Sequence, residues 1–156
     1  MSLSDPAPAT PDAATPSDCG IQQAPQLSEM GEHALLYAQD RDWKVFPCAH
    51  KRPLTAHGFH DASSDPEQIE RWWTAHPLAQ IAAPCVGFWV LDVDGEEGDR
   101  SFSELVQGRP LYTAIARTAR GRHYFFRIGA AVPRTTTNVL RKIDIRAAGS
   151  YVIVAP

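Results

Sequence analysis

Two aspartates close an apolar run at Phe88–Asp94, FWVLDVD. Side chains alternate across a strand, so Asp92 and Asp94 share a face with Phe88 and Val90, while Leu91 and Val93 turn to the opposite layer. Two unpaired carboxylates on such a face repel each other and lose hydration, at a cost of several kcal/mol. A divalent cation removes that cost, and hard oxygen ligands at this spacing suit Mg²⁺ or Mn²⁺. The plainer alternative is a strand that runs out into a solvated acidic turn, DGEEGD. A further acid, Asp144, lies in KIDIRA. There Lys142, Asp144 and Arg146 face one side and Ile143 and Ile145 the other. This is either a cross-strand ion-pair ladder or a third metal ligand with bases turned toward phosphate. His123, in TARGRHYFF, shares a face with Phe125 and Arg127. A ring N–H among basic residues is a natural donor to a phosphate oxygen, although a single histidine is more commonly packed at a sheet surface. The other five histidines show no HExxH or comparable ligand spacing. GxxxxGK[ST], GxGxxG and GxSxG are all absent, which excludes the two standard nucleotide cradles and the usual nucleophile elbow.

Charge is segregated along the chain in the same region. The net charge is -3. Three of the 18 acids and none of the 15 bases lie in residues 1–25, so the rest is balanced. Between Asp92 and Glu104 six acids face one base, and from Arg117 onward eight bases face the single acid Asp144. An acidic cluster beside a basic stretch can hold cations and polyphosphate together; the bland reading is a solvated surface.

The elements that must position these groups can be read in outline. Ser28 can cap a helix running to about Arg41, with Met30, Ala34 and Ala38 on one face. Trp43–Phe46 reads as a strand stopped by Pro47, and His50–Ser64 as a loop. A second helix begins with Asp65 as cap, Pro66 at the first helical position and Gln68 completing a capping box. It carries Ile69, Trp72 and Trp73 as core anchors and ends before Pro77. Gln80–Ala83 is a short strand. Phe88–Asp94 is apolar enough to be buried on both faces. Ser101–Gln107 is a short helix, and Tyr112–Thr118, Arg122–Ile128, Arg141–Ala147 and Tyr151–Ala155 are strands. Helices come early and strands dominate late, which predicts an α+β fold with a mainly antiparallel sheet.

With 156 residues, 44% of them hydrophobic and 21% charged, the composition is that of one globular domain with or without a tail. Residues 1–25, with five prolines among Ala, Ser and Thr, read as a disordered leader without the basic and apolar regions of a secretory signal. No apolar run approaches the roughly 20 residues of a membrane helix. Cys19, Cys48 and Cys85 form no CxxC pair, which argues against a zinc cluster or disulfide scaffold and suits a reducing cytoplasm.

Taken in order, these motifs form a set. WKVFP, the loop KRPLTAHGFHDASSDPEQIERWW, LDVDG, TARGRHYFF and IDIRAAGSYVIVAP together resemble the bifunctional primase-polymerase domain of the archaeo-eukaryotic primase superfamily, from about Leu27 to Pro156. The resemblance implies an N-terminal α/β unit packed on an RRM-like, mainly antiparallel sheet that occupies residues 26–156. It implies a DNA primase and polymerase that makes or extends primers on a single-stranded DNA template from nucleoside triphosphates. Asp92, Asp94 and Asp144 would be catalytic and hold two Mg²⁺ or Mn²⁺ ions, ideally about 3.5–4 Å apart. The three carboxylates are therefore expected to converge within metal-bridging reach. His123 would contact the triphosphate, with Arg122 and Arg146 as further phosphate or template contacts. Lys51 and Arg52, in the Lys-x-Pro-Leu loop with Gly58, Phe59 and Asp61, are weaker candidates for nucleic acid or nucleotide phosphate. A fused or separate helicase is the expected partner, and the expected location is cytoplasmic, away from membranes. Two departures stand out. Ala119-Arg120-Gly121 replaces the glycine pair that usually precedes the histidine motif, and the chain stops at Pro156 where the family usually continues, so a fragment or a short version is expected. The alternatives are a non-catalytic single-stranded nucleic-acid-binding module on the same fold and a metal-dependent nuclease.

Overall fold

The computed structural model describes residues 26–131 and 133–156; the Pro/Ala-rich leader and Cys19 lie outside them. Ser28 caps α1 (Glu29–Arg41), its hydroxyl accepting from Gly31 N–H, and the helix buries Gly31, Ala34 and Ala38. Asp65 caps α2 (Pro66–Ala75) by accepting from Glu67 N–H, with Pro66 in the first turn. The capping box is only half formed, because the Gln68 side chain is engaged by Arg71 instead. Ile69 and Trp73 are fully buried, and the Trp73 indole N–H donates to Ala79 O at 3.2 Å. That bond satisfies its one polar atom and makes it a core anchor. Trp72, half-buried, packs on a neighbouring apolar cluster.

The strands form two sheets. One contains β1 (Phe46–Ala49), β2 (Arg52–Pro53), β3 (Gln80–Pro84) and β9 (Tyr151–Val154), in the order β2-β1-β3-β9. The other contains β4 (Phe88–Asp94), β5 (Ala114–Arg117), β6 (Gly121–Arg127), β7 (Thr136–Leu140) and β8 (Ile143–Arg146), in the order β5-β6-β4-β8-β7. Every described pairing is antiparallel, so the class is α+β, as expected.

Strand β4 is buried on both faces. Phe88 and Val90 join the main core with α1, α2, β3 and β9, where Trp43 stacks on Phe88 at 4.3 Å. Leu91 and Val93 face α3 (Gly95–Val106) together with Tyr124 and Ile143, and Phe102 stacks on Tyr124 at 4.3 Å.

Three sequence expectations need correction, and one strand was not foreseen. The first strand begins at Phe46 rather than Trp43, and Pro47 does not stop it: Pro47 pairs with Ile81, and its carbonyl accepts from Leu54 N–H. A proline lacks only the donor, so it can hold a ladder position as an acceptor. The segment His50–Ser64 is not a plain loop but contains β2 and a 3-10 turn at Gly58–Asp61. Helix α3 starts at Gly95 rather than Ser101, so the acidic turn is its first turn, where Glu96 and Glu97 oppose the positive helix end. Its two glycines hid it in the sequence. Gly98 is there because an added Cβ would come within 2.8 Å of Lys142 O. Finally, β7 is an exposed edge strand with no buried residue, hence no alternation to read.

Candidate functional site

The site is built by strand register. Asp92 on β4 lies directly opposite His123 on β6 and Asp144 on β8. Directly opposed residues of antiparallel strands point to the same side, so His123, Asp92 and Asp144 form one row across three strands. Asp94 stands two residues further on the same face. The preceding row, Phe125, Val90 and Arg146, is where this face leaves the main core. The face therefore turns from apolar to acidic at the strand's end, as the sequence predicts.

Several backbone features fix that end. Asp94 N–H donates to Lys142 O at 2.9 Å and Gly95 N–H to Arg120 O at 2.8 Å, clamping β4 between its neighbours. Gly121, opposite Asp94, approaches so closely that a Cβ there would collide with Val93 O. Of the Ala119-Arg120-Gly121 stretch, the position that the register requires to be glycine is the one that is glycine. Thr118 then shapes the turn, its hydroxyl accepting from Gly121 N–H at 3.0 Å.

The polar contacts within the row are specific. His123 Nε2 lies 3.2 Å from Asp92 Oδ1. Arg146 donates to Asp144 Oδ2 at 2.7 Å, and its Nε is 3.8 Å from Asp92 Oδ2. Asp144 Oδ1 accepts from Asn138 N–H at 2.7 Å. Asn138 sits at an irregularity of β7 with φ 50°, a left-handed conformation that turns its N–H toward the carboxylate. Burial alone would raise the pKa of Asp92. The His123 bond and the positive charges of His123, Arg146 and Lys51 outweigh it and hold the carboxyl below its ordinary value.

Asp92, Asp94, His123 and Arg146 line a groove of about 620 Å³. One wall is the β5–β6 turn, Arg117 to Arg120; the other is Lys51, Phe59, Gln80 and the segment from Gly149 through β9. Lys51 is held there by an unusual turn. His50 and Lys51 have φ of 49° and 65°, both left-handed and both non-glycine, a costly backbone that needs external support. Lys51 N–H donates to Gln80 Oε1 at 3.2 Å, and the Tyr151 hydroxyl donates to Lys51 O at 2.8 Å. Further along the loop, Asp61 accepts from His57 N–H at 2.7 Å, and the Phe59 ring packs 5.9 Å from that of Tyr151. The Lys-x-Pro-Leu loop thus acquires a physical role, which is to deliver Lys51 and Phe59 to the groove.

The sequence candidates divide accordingly. Asp92, Asp94, Asp144, His123 and Arg146 share the expected face, and Lys51 reaches the groove. Arg122 does not: it neighbours His123 on β6, so alternation sends it to the opposite face, where it pairs with Asp99 of α3 at 2.7 Å. Arg52 is exposed on β2 and does not line the groove. Residues that the sequence reading left unassigned are Arg117, Arg120, Gln80, Phe59 and Tyr151. Phe59, Arg120 and Tyr151 lie inside motifs already noted and Arg117 opens the basic stretch, but only Phe59 was singled out within the loop motif, and none had a site role.

The donor chemistry fits a hard cation, since three carboxylates share one sheet face. The expected convergence is met in the face but not in closeness. Among the described residues no three His, Cys, Asp or Glu side chains group tightly enough to hold a metal ion. The reason is visible in the row: Arg146 lies between Asp92 and Asp144, and Asn138 fixes the second oxygen of Asp144. His123 likewise offers no free ring nitrogen to the groove, because Nε2 faces Asp92 and Nδ1 is buried without a partner. The thiols of Cys48 and Cys85 are buried, and burial pushes Cys48 up to about 11; burial raises Cys85 too, opposed by the Ser150 hydroxyl at 3.7 Å and by the charge of Arg146. No helix among the described residues is long and apolar enough to cross a membrane.

No curated protein matches the chain. The family model for the N-terminal domain of bifunctional DNA primase/polymerases does, over residues 34–156. That span begins within α1, takes in both sheets and contains every residue of the groove, and the chain belongs to the bifunctional DNA primase/polymerase N-terminal domain family.

Proposed function

We propose that this domain performs template-directed nucleotidyl transfer, making or extending a primer on single-stranded DNA from nucleoside triphosphates. The observation that carries the reading is the cross-strand row His123–Asp92–Asp144, continued by Asp94, beside a groove edged by Lys51, Arg117, Arg120 and Arg146. Acids on the floor and bases on the rim suit a polyphosphate whose metal-facing oxygens point inward. A plain nucleic-acid binder would gain nothing from a carboxylate row that repels its ligand.

Asp92, Asp94 and Asp144 would hold Mg²⁺ or Mn²⁺. Bound there, the divalent ions supply activation of a primer 3′-hydroxyl and neutralisation of the departing pyrophosphate. The remaining work falls to the protein. His123 orients Asp92 and keeps it ionised, and turns to a triphosphate oxygen when Asp92 is otherwise engaged. Lys51 and Arg146 donate to phosphate oxygens. Arg120 and Arg117, on the turn at the groove's rim, take the outer phosphates or the template backbone. The aromatic pair Phe59 and Tyr151 offers a face for a base at the opposite wall.

The test is an extension assay with labelled nucleotides, a defined single-stranded template and Mg²⁺ or Mn²⁺, with and without a primer. Incorporation that follows the template sequence is expected. Template strands shortened with no nucleotide incorporated would replace the polymerase reading by that of a nuclease.

A further inference from the structure

The four oxygens of Asp92 and Asp144 are not equivalent. One oxygen of each carboxylate is anchored by the fold: Asp92 Oδ1 by His123 Nε2 at 3.2 Å, and Asp144 Oδ1 by Asn138 N–H at 2.7 Å. The other oxygen of each faces Arg146, Asp144 Oδ2 at 2.7 Å and Asp92 Oδ2 at 3.8 Å. The two acids are direct cross-strand partners, an arrangement that is destabilising for like charges unless a cation lies between them. Arg146 is placed to be that cation. It stands on β8 two residues from Asp144, on the same face, and bridges both outer oxygens. Its side chain is still one-third exposed and lines the groove, so it can swing away without disturbing the core.

We infer that Arg146 is an exchangeable counter-ion: it neutralises Asp92 and Asp144 until a divalent cation takes their outer oxygens, and the displaced guanidinium then turns into the groove to meet phosphate. The inference rests on the cation site of the proposed function and adds an order of events to it. Cation and guanidinium compete for the same two oxygens, so the cation that fills the site also releases the phosphate donor.

The experiment measures Mn²⁺ affinity from the spectrum of free Mn²⁺ by electron paramagnetic resonance, and thermal stability with and without Mn²⁺, for the wild type, Arg146→Gln and Arg146→Lys. Each is paired with Asp92→Asn, which defines the binding that belongs to this site. Without metal, Arg146→Gln should melt lower than the wild type. It should bind Mn²⁺ about tenfold more tightly, the scale of one unit charge facing a divalent ion a few ångström away in a well-screened site. Its melting temperature should also rise more on adding Mn²⁺, and Arg146→Lys should stay near the wild-type affinity. A merely structural Arg146 predicts the opposite sign, with Mn²⁺ bound equally or more weakly once the carboxylates lose their support; that result would overturn the inference while leaving nucleotide incorporation by the wild type untouched. Absence of any Asp92-dependent Mn²⁺ binding in the wild type would overturn both the inference and the cation site beneath it. A second measurement needs no variant: in the wild type, titration with Mg²⁺ should shift the Arg146 Nε–H resonance, and an unmoved signal at saturating Mg²⁺ would also count against exchange.

Discussion

At the scale of single residues, Asp92 is held from both sides of its strand. It is opposed on both sides by the residues it would work with, and its ionised form is favoured by His123, Arg146 and Lys51 against the penalty of burial. A carboxyl whose folded-state pKa is depressed stabilises the fold above the ordinary carboxylate range, and that stability is lost as pH falls through the folded value. The melting temperature of the wild type should therefore exceed that of Asp92→Asn at pH 7, and the gap should shrink below about pH 4. A gap that stayed constant from pH 7 to pH 3 would mean that the charge of Asp92 is not what the neighbours favour. Part of this was legible in the residues: alternation puts Asp92 with Asp94, and Asp144 with Arg146, on one face of their own strands, whereas joining those faces and His123 into one row takes the cross-strand register. Arg122 could have been excluded by the same rule, since it adjoins His123. What alternation cannot say is which polar neighbour takes which oxygen. The bulge that turns Asn138 N–H onto Asp144 has no sequence signature, and the buried Nδ1 of His123 depends on packing from another layer.

At the scale of elements, the site depends on two short structures that hold the strand ends in place. The first is the β4–β6 register at Gly121. Replacing Gly121 by Ala forces a methyl group against Val93 O, and backbone cannot yield as a side chain tip can. The expected loss is about 1–3 kcal/mol of stability or more, measurable by denaturant unfolding, and an unchanged midpoint would show that the strands have room to part. The second is the His50–Lys51 turn. Tyr151→Phe removes only the hydroxyl that supports Lys51 O. It should cost about 0.5–1.5 kcal/mol and raise KM for the nucleoside triphosphate several-fold with little change in kcat, and Lys51→Ala should do the same. The two changes combined should be less than additive; full additivity would mean that Tyr151 does not act through Lys51. Elements with a strong period or cap were readable in advance, as with α1, α2 and β4. Helix α3 was read short because its first turn carries glycine and acid rather than an apolar stripe, and β7 was missed because an exposed edge has no buried side to betray it.

At the scale of the whole molecule, the groove is a product of how two antiparallel sheets meet. Lys51 and Phe59 come from one end of the chain, Asp92 and His123 from the middle, and Arg146 and Tyr151 from the other end. The ordered motifs of the sequence pointed to the family, whereas the strand order and register of the larger sheet come from pairings that alternation leaves open. The opposite wall was not legible, because nothing in the sequence says that β9 and the β1–β2 turn come to face the β5–β6 turn. That wall makes the acidic end of β4 one side of a groove, lined by Asp92 and Asp94 but not by Asp144, with Lys51, Arg117, Arg120 and Arg146 around it, and an enzyme differs from a binding surface there in a way that can be measured. Nucleotide incorporation and single-stranded DNA affinity should be determined for the wild type, Asp92→Asn and Asp144→Asn at one stated salt concentration, since phosphate contacts make affinity salt-dependent. The carboxylates act on the transition state and not on the bound strand. Both variants should therefore lose incorporation by a factor of about 10²–10³, the range in which removal of a main electrostatic stabiliser falls. They should bind DNA as tightly as the wild type or more so. An Asp92→Asn variant that extends primers at the wild-type rate would contradict the account.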